Sequence, residues 1–153
     1  MKINERGFQE VGKKFKYSDD TTIIPTRGSR YSAGYDLHSK DDVIIPPGEH
    51  YKFFTDVKSY MKSDEVLQIF IRSSIGIKKE MSIMNNTGII DPDYYNNQNN
   101  DGNIIICLKN NSQKNVKIND KERIAQGIFF KFLEASEGNS SKHRSGGIGS
   151  TND

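Results

Sequence analysis

The stretch VIIPPGEHYKFFT, residues 43–55, decides the fold class of this chain. The β-branched run Val43–Ile45 is followed by Pro46-Pro47-Gly48, which is a strong turn signal. The aromatic run Tyr51–Thr55 then predicts a returning strand. Similar short apolar clusters recur at Val66–Ile71, Ile83–Met84, Thr87–Ile90, Ile104–Leu108, Val116–Ile118 and Ile124–Leu133. Short strands at this close spacing predict an all-β sandwich or barrel.

The remaining segments are predominantly polar. Ser73–Lys79 predicts one short helix, with Ser73 or Ser74 as its N-cap. The stretch Asn96–Asp101 (NNQNND) predicts a polar loop that cannot bury itself, and the Gly- and Ser-rich tail from Ala135 predicts a flexible segment. We therefore expect a single domain over residues 1–134 and a flexible, glycine-rich tail over residues 135–153.

Composition limits the possible functions. The 153 residues suit one domain, and 22 Lys+Arg against 20 Asp+Glu give a net charge of +2, which argues against a nucleic-acid partner. The hydrophobic fraction of 33% is lean and favours a core or interface shared between subunits. The single cysteine, Cys107, allows no disulfide framework within a chain. Since no stretch approaches the length of a signal peptide core or a membrane span, we expect a cytoplasmic protein without membrane contact.

Two segments have the composition of anion sites. Arg144–Thr151 (RSGGIGST) combines a guanidinium with glycines, whose backbone N–H groups can surround phosphate. Arg72–Gly76 (RSSIG) places an arginine and two hydroxyls after an apolar strand. The alternatives are a plain flexible tail for the first segment, and an ordinary helix cap with a surface arginine for the second.

Three further segments carry isolated polar groups. Gly88–Tyr94 (GIIDPDY) ends a strand in two carboxylates, which suit a general base or a hydrated metal, or equally an ordinary turn. Asp36 lies in an apolar patch and requires a partner, either a metal ion or, more commonly, an arginine in a salt bridge. In Arg123–Phe129, Arg123 is a candidate ion-pair partner and Gln126 a candidate ligand donor, with plain strand packing as the alternative.

In chain order, these five segments resemble the five motifs of the trimeric dUTPase family, over roughly residues 21–153. The resemblance implies a distorted, β-clip-like jelly roll with one short helix that assembles as a homotrimer. It also implies that three chains share each active site, one of them through its C-terminal tail. The implied activity is Mg²⁺-assisted hydrolysis of dUTP to dUMP and pyrophosphate, which limits the incorporation of uracil into DNA.

The resemblance also implies roles for individual residues. Asp91 activates the water that attacks the α-phosphate, and Asp36 holds Mg²⁺ through a water molecule. The residues expected to bind the phosphates are Arg72, Ser73, Ser74, Gln126, Arg144, Gly147, Gly149, Ser150 and Thr151. Asn85 and the backbone of Gly88, Ile89 and Ile90 are expected to bind uracil on a hairpin, and Tyr94 to lie under the deoxyribose and exclude a 2′-hydroxyl.

The chain departs from the family pattern in the tail and after the third motif. Ile148 replaces the usual aromatic residue and is expected to provide apolar cover only. Arg144 lies one residue closer to the glycine pair than usual. Asn96–Asp101 resembles an insertion and is a candidate site for a protein partner.

Two other functions fit the same fold. A dCTP deaminase requires a glutamate as base, and the third-motif stretch Met84–Tyr95 contains none. A non-catalytic regulatory trimer would bind a protein partner. The combined presence of Asp91, Arg72 and Arg144 argues for retained catalysis.

Overall fold

The computed structural model describes residues 5–151, so the first four residues of the predicted domain and the last two of the predicted tail lie outside it. Eleven β-strands dominate the described part of the chain. In chain order they are β1 Gly7–Glu10, β2 Tyr35–His38, β3 Val43–Ile45, β4 His50–Phe54, β5 Val57–Tyr60, β6 Glu65–Ile71, β7 Met81–Ile83, β8 Gly88–Ile90, β9 Ile105–Asn110, β10 Val116–Ile118 and β11 Arg123–Lys131.

The strands form two principal antiparallel sheets that enclose the core. One has the order β2-β11-β6-β8 and the other the order β4-β9-β7, while β1-β5 and β10-β3 form two-stranded ribbons. The most deeply buried apolar side chains come from both principal sheets, from the segment before β9 and from β10: Leu37, Phe53, Leu67, Ile104, Ile106, Leu108, Ile118 and Ile124. The predicted all-β class is therefore confirmed.

Every predicted strand is present, with shifts of one to two residues at most ends. The turn at Pro46-Pro47-Gly48 is also present, and Gly48 takes a positive φ of 77° that favours glycine there. Strands β1, β2 and β5 were not predicted. Their sequences are rich in polar residues, and several of these, including Asp36 and Ser59, are buried in the folded chain.

The predicted short helix is a π-helix at Ser74–Lys78. The predicted N-cap is wrong, because Ser73 has helical backbone angles and makes no capping hydrogen bond, whereas a capping residue needs an extended backbone. Two 3-10 turns, Lys13–Phe15 and Pro92–Tyr94, complete the elements. In the part of the chain that the structure describes, no helix is long and apolar enough to span a membrane.

Candidate active site

A cavity of about 260 Å³ opens beside β8 and is lined by residues from five parts of the chain. Nine of the predicted site residues line it: Asn85, Gly88, Ile89, Ile90, Asp91, Tyr94, Arg144, Gly147 and Ile148. The volume lies just below the range of roughly 300–1,000 Å³ that is typical of small-molecule sites. The cavity therefore suits a ligand portion the size of a base and a sugar.

One wall of the cavity is the outermost strand of a sheet. β8 pairs with β6 on one side only and ends its sheet, so the backbone groups along its other edge have no ladder partner among the described residues. Such groups are ready donors and acceptors for a ligand. Gly88 is explained by packing rather than by the ligand, because a Cβ there would lie 3.0 Å from the Cβ of Ile69 on β6.

The predicted uracil hairpin is not a paired hairpin. β7 pairs with β9 in one sheet, whereas β8 pairs with β6 in the other, so the turn between them crosses from sheet to sheet. Asn86 adopts a positive φ of 64° in this turn, and its N–H donates to the carbonyl of Ile83. The turn presents Asn85 at the cavity because it changes sheets there.

Asp91 immediately precedes a single turn of 3-10 helix that starts at Pro92, and Tyr94 is the last residue of that turn. Proline suits the first position of such a turn because its φ is already helical and it has no N–H to satisfy. The Tyr94 N–H donates to the Asp91 carbonyl at 3.1 Å. This short rigid link fixes the carboxylate and the phenol on the same cavity.

The tail returns to the cavity through an ion pair. Arg144 Nη2 donates to Asp91 Oδ2 at 2.6 Å, and Arg144 Nε donates to Asp93 Oδ1 at 3.1 Å. Gly147 lies directly on the Tyr94 ring, since a Cβ there would be 2.9 Å from Tyr94 Cε2. Ile148 lines the cavity but remains 85% exposed.

The last predicted tail residues do not reach the cavity. The Ser150 hydroxyl donates to the Gly146 carbonyl and so closes a turn within the tail itself. Gly149 takes a positive φ of 80° in the same turn. Gly149, Ser150 and Thr151 therefore have no contact with the cavity in this chain.

Sequence reasoning missed several residues of the cavity wall. Lys52 on β4 and Cys107 on β9 are cross-strand partners, and Cys107 Sγ lies 3.3 Å from Met84 Sδ. Burial raises the pKa of the Cys107 thiol. The other missed lining residues are Ile69, Ile83, Ile105 and Ile106. Finding them requires the pairing of β4 with β9, which local patterning does not reveal.

A second cluster of predicted site residues surrounds Asp36. Its carboxylate contacts Arg72 Nε at 3.0 Å and Arg123 Nη1 at 3.4 Å. This is the salt bridge considered for Asp36 and the ion-pair role considered for Arg123. Arg72 Nη1 also donates to the Ser74 hydroxyl at 3.4 Å, and Gln126 Nε2 donates to the Ile71 carbonyl at 3.3 Å. Ser73 lies exposed beside this cluster.

The two clusters lie at different places in the same chain. Ile90, the residue before Asp91, pairs with Leu67 on β6. Arg72 lies five residues beyond Leu67, which at about 3.3 Å per residue gives a separation of roughly 16 Å along the strand. One chain therefore holds the two halves of the predicted site apart.

The segment Asn96–Asp101 is ordered by its own side chains, so the prediction that it cannot bury itself is wrong. Asn97 is 5% exposed, and its side-chain amide donates to the Tyr94 carbonyl at 2.8 Å. Asp101 Oδ2 accepts from Lys58 Nζ at 2.8 Å and from the Gly12 N–H at 2.7 Å. Asparagine side chains supply both donors and acceptors, which replaces the missing apolar contacts.

Comparisons with known proteins agree on one family. A family model described as dUTPase matches residues 20–152. The chain is 40% identical over 153 residues to a deoxyuridine 5'-triphosphate nucleotidohydrolase of Lactococcus lactis subsp. lactis, covering 99% of both chains. It is 33% identical to the enzyme of the same name from Nautilia profundicola, covering 90% of this chain and 96% of that one.

Solved structures extend the comparison to three dimensions. The crystal structure of dUTPase from Streptococcus mutans aligns with a TM-score of 0.76 at 37% identity, covering 86% of this chain and 99% of that chain. A mutant dUTPase from phage phi11 of S. aureus, described as coordinating a structural Mg(II) ion, aligns with a TM-score of 0.71. At 21% identity, that second likeness shows the shared fold alone.

Proposed function

Because the chain belongs to the dUTPase family and is a dUTP diphosphatase, we propose that Asp91 is its catalytic base and that the cavity beside β8 binds the deoxyuridine. The observation that carries this proposal is the meeting of Asp91, Tyr94, Asn85 and the β8 edge on one cavity of nucleoside size. Two other cavities, one beside Lys78 and Lys117 and one beside Glu10 and Asp19, have no phenol in their walls.

The chemistry is an in-line displacement at the α-phosphorus. Asp91 orients a water molecule and accepts its proton as the water oxygen bonds to phosphorus. The bond between the α-phosphorus and the α,β-bridging oxygen breaks, so dUMP and pyrophosphate are the products. Positioning and charge neutralisation supply most of the rate in reactions of this type.

Asp36 fits a hydrated Mg²⁺ carried by the triphosphate better than an ion held by the protein alone. Within residues 5–151, no group of three or more His, Cys, Asp or Glu side chains forms a metal cage. The Asp36 carboxylate already accepts from Arg72 and Arg123, but a carboxylate has about four acceptor positions, which leaves room for a metal-bound water. When bound, Mg²⁺ neutralises phosphate charge while keeping several of its waters.

Recognition of uracil falls to Asn85 and the unpaired edge of β8. Uracil presents an N–H donor between two carbonyl acceptors, whereas cytosine presents a different pattern at the same edge. A buried backbone edge matched to uracil rejects cytosine by leaving polar groups unpaired, and such mismatches cost about 10⁴-fold in specificity. Tyr94 contributes the discrimination against a 2′-hydroxyl by lying under the sugar.

The second cluster completes the site of a neighbouring chain. Arg72, Ser73, Ser74 and Gln126 would bind the phosphates there. In their own chain, Arg72 lies roughly 16 Å, and Phe70, the partner of Gln126, roughly 10 Å, beyond the β6 residue that pairs with Ile90. A homotrimer with shared sites accounts for this split and for the lean core. The tail, which here covers its own chain's cavity, is expected to close a neighbour's site in the trimer, where Gly149, Ser150 and Thr151 would line the phosphates.

Pyrophosphate release from dUTP, dCTP, dTTP and UTP, each with and without Mg²⁺, tests this function. We expect metal-dependent turnover of dUTP alone. Ammonia release from dCTP would favour the deaminase alternative. Absence of turnover with every nucleotide would favour the regulatory trimer. A cytoplasmic location stays a prediction that fractionation of the native cells would test.

A further inference from the structure

The hydroxyl of Tyr94 is held from two sides by residues outside the cavity. It donates to the Asn103 carbonyl at 2.7 Å and accepts from Asn100 Nδ2 at 2.7 Å. The Tyr94 side chain is buried, and burial raises the pKa of its phenol, so the hydroxyl stays protonated and able to donate. Both hydrogen bonds involve the hydroxyl, which is the part of the side chain farthest from the backbone. They therefore restrict movement of the Tyr94 ring.

The amide of Asn100 is itself fixed in orientation. Its Oδ1 accepts from Asn97 Nδ2 at 2.7 Å and from the Gly102 N–H at 3.1 Å. Because two donors occupy the oxygen, the amide nitrogen must face the Tyr94 hydroxyl. Asn97 Oδ1 in turn accepts from the backbone N–H groups of Asn99 and Asn100, which fixes the loop that carries the amide.

The loop is anchored to the body of the domain at its two ends. Lys58 Nζ on β5 donates to Asn96 Oδ1 at 2.6 Å and to Asp101 Oδ2 at 2.8 Å. Asn103 is buried and donates through Nδ2 to Asp56 Oδ1 at 2.9 Å. The support of the Tyr94 hydroxyl is therefore continuous with the buried part of the fold.

We propose that Asn100 is a positioning residue for sugar specificity, which fixes the Tyr94 ring so that a 2′-hydroxyl cannot be accommodated. The inference rests on the proposed role of Tyr94 under the deoxyribose. A ring excludes an extra oxygen only if it cannot shift by about 1 Å, a displacement of the size that changes rates by orders of magnitude in preorganised sites. Asn100 does not itself line the cavity and reaches it only through the Tyr94 hydroxyl.

Values of kcat/KM for dUTP and UTP in three variants test this inference. Asn100→Ala is expected to lower the ratio of the dUTP value to the UTP value roughly tenfold, through faster UTP turnover. Gln98→Ala, an exposed position in the same loop, is expected to leave the ratio unchanged. Asn100→Asp keeps Oδ1 but removes the Nδ2 donor, so it should also lower the ratio. It provides the same test if the alanine variant fails to fold.

A double-mutant cycle separates positioning from a general structural role. Tyr94→Phe removes the hydroxyl that Asn100 holds, so adding Asn100→Ala to Tyr94→Phe should not lower the ratio further. An additive fall, or an equal loss with both nucleotides and no change in their ratio, overturns the proposal.

Tyr94→Ala distinguishes failure of this inference from failure of the proposed site. If Tyr94→Ala lowers the ratio while neither Asn100 variant does, Asn100 has no positioning role, but Tyr94 still excludes the 2′-hydroxyl. If Tyr94→Ala leaves the ratio unchanged, Tyr94 does not exclude the 2′-hydroxyl, and the inference about Asn100 is wrong as well.

Discussion

At the scale of single residues, the contact between Asp91 and Arg144 shows how a weak ion pair suits an active site. The Asp91 side chain is 39% exposed, and a pair at that exposure contributes about 1 kcal/mol or less. Each charge-assisted hydrogen bond from Arg144 to a phosphate oxygen contributes about 1.5–3 kcal/mol. In the proposed mechanism, we therefore expect the arriving triphosphate to displace the carboxylate from the guanidinium, which would free Asp91 to hold a water.

Asp91→Asn removes the base and keeps the shape of the side chain. We expect kcat to fall about a thousandfold, because general-base catalysis typically contributes 10²–10⁴-fold. Binding of a non-hydrolysable dUTP analogue should persist. Asp93→Asn is the matched control. It removes the charge of the neighbouring carboxylate, which also contacts Arg144, and it should lower kcat less than tenfold. Turnover by Asp91→Asn at a rate near that of the wild type would show that the base lies elsewhere.

At the scale of elements, Asp56 fastens the segment that precedes β2 to the start of β5. The carboxylate is fully buried and accepts from Lys40 Nζ at 2.8 Å and from the backbone N–H of Tyr17 at 2.7 Å. Burial opposes its ionisation, but the hydrogen bonds from Lys40, Tyr17 and Asn103 outweigh burial and lower its pKa below 3.8. Folding and ionisation of Asp56 are therefore coupled.

Asp56→Asn should destabilise the fold by about 3 kcal/mol, because it leaves the buried Lys40 charge without its carboxylate partner. Asparagine tolerates the positive φ of 58° at this position, so the backbone is not strained. Urea unfolding at neutral pH measures the loss. Asp64→Asn, which removes the exposed pair with Lys131, is the control and should cost less than about 1 kcal/mol.

The difference between wild type and Asp56→Asn depends on pH with a definite sign. Since the folded-state pKa of Asp56 is lowered from 3.8, the advantage of the wild type is complete above that value. It then shrinks as the pH falls through the folded-state value. Unfolding curves from pH 7 down to pH 3 that show a constant difference would contradict this account of the buried pair.

The tail is an element without a core of its own. Residues 135–142 are exposed, and the tail returns to the cavity at Arg144, Gly147 and Ile148. Truncation after Ser141 should therefore lower kcat/KM for dUTP by roughly 10²-fold or more while the trimer persists. Size-exclusion chromatography with light scattering checks the assembly, and a monomeric product would refute the role of the tail as a lid alone.

The elements with clear runs of apolar residues were predicted from the sequence. The elements whose burial depends on distant partners were missed. β6 and β11 are runs of aliphatic and aromatic residues and were predicted. β2 was not, because Asp36 interrupts its apolar residues and is paired only by Arg72 and Arg123, which folding brings to it. Asn100 was missed for the same reason. Its proposed role depends on hydrogen bonds whose partners cannot be predicted from a polar, asparagine-rich stretch.

At the scale of the whole molecule, the family resemblance implied the motif residues and their sharing among chains, whereas the strand register that separates them within one chain was not predictable. Family resemblance identified Asp91 and Arg72 by their local sequence. Their separation depends on the antiparallel register of β6 and β8, which places Gly88 opposite Ile69 and sends Asp91 away from Arg72. A site divided in this way requires a second chain, and symmetric assembly supplies one at each interface.

Complementation between two inactive variants tests this shared site most directly. Asp91→Asn and Arg72→Ala are each expected to be inactive as homotrimers. Co-expressed with different affinity tags and purified as mixed trimers, they should regain activity in about a third of the sites, where an intact Asp91 meets an intact Arg72 from the neighbouring chain. Mixed trimers as inactive as either parent would contradict the account, because Asp91 and Arg72 would then have to act from the same chain.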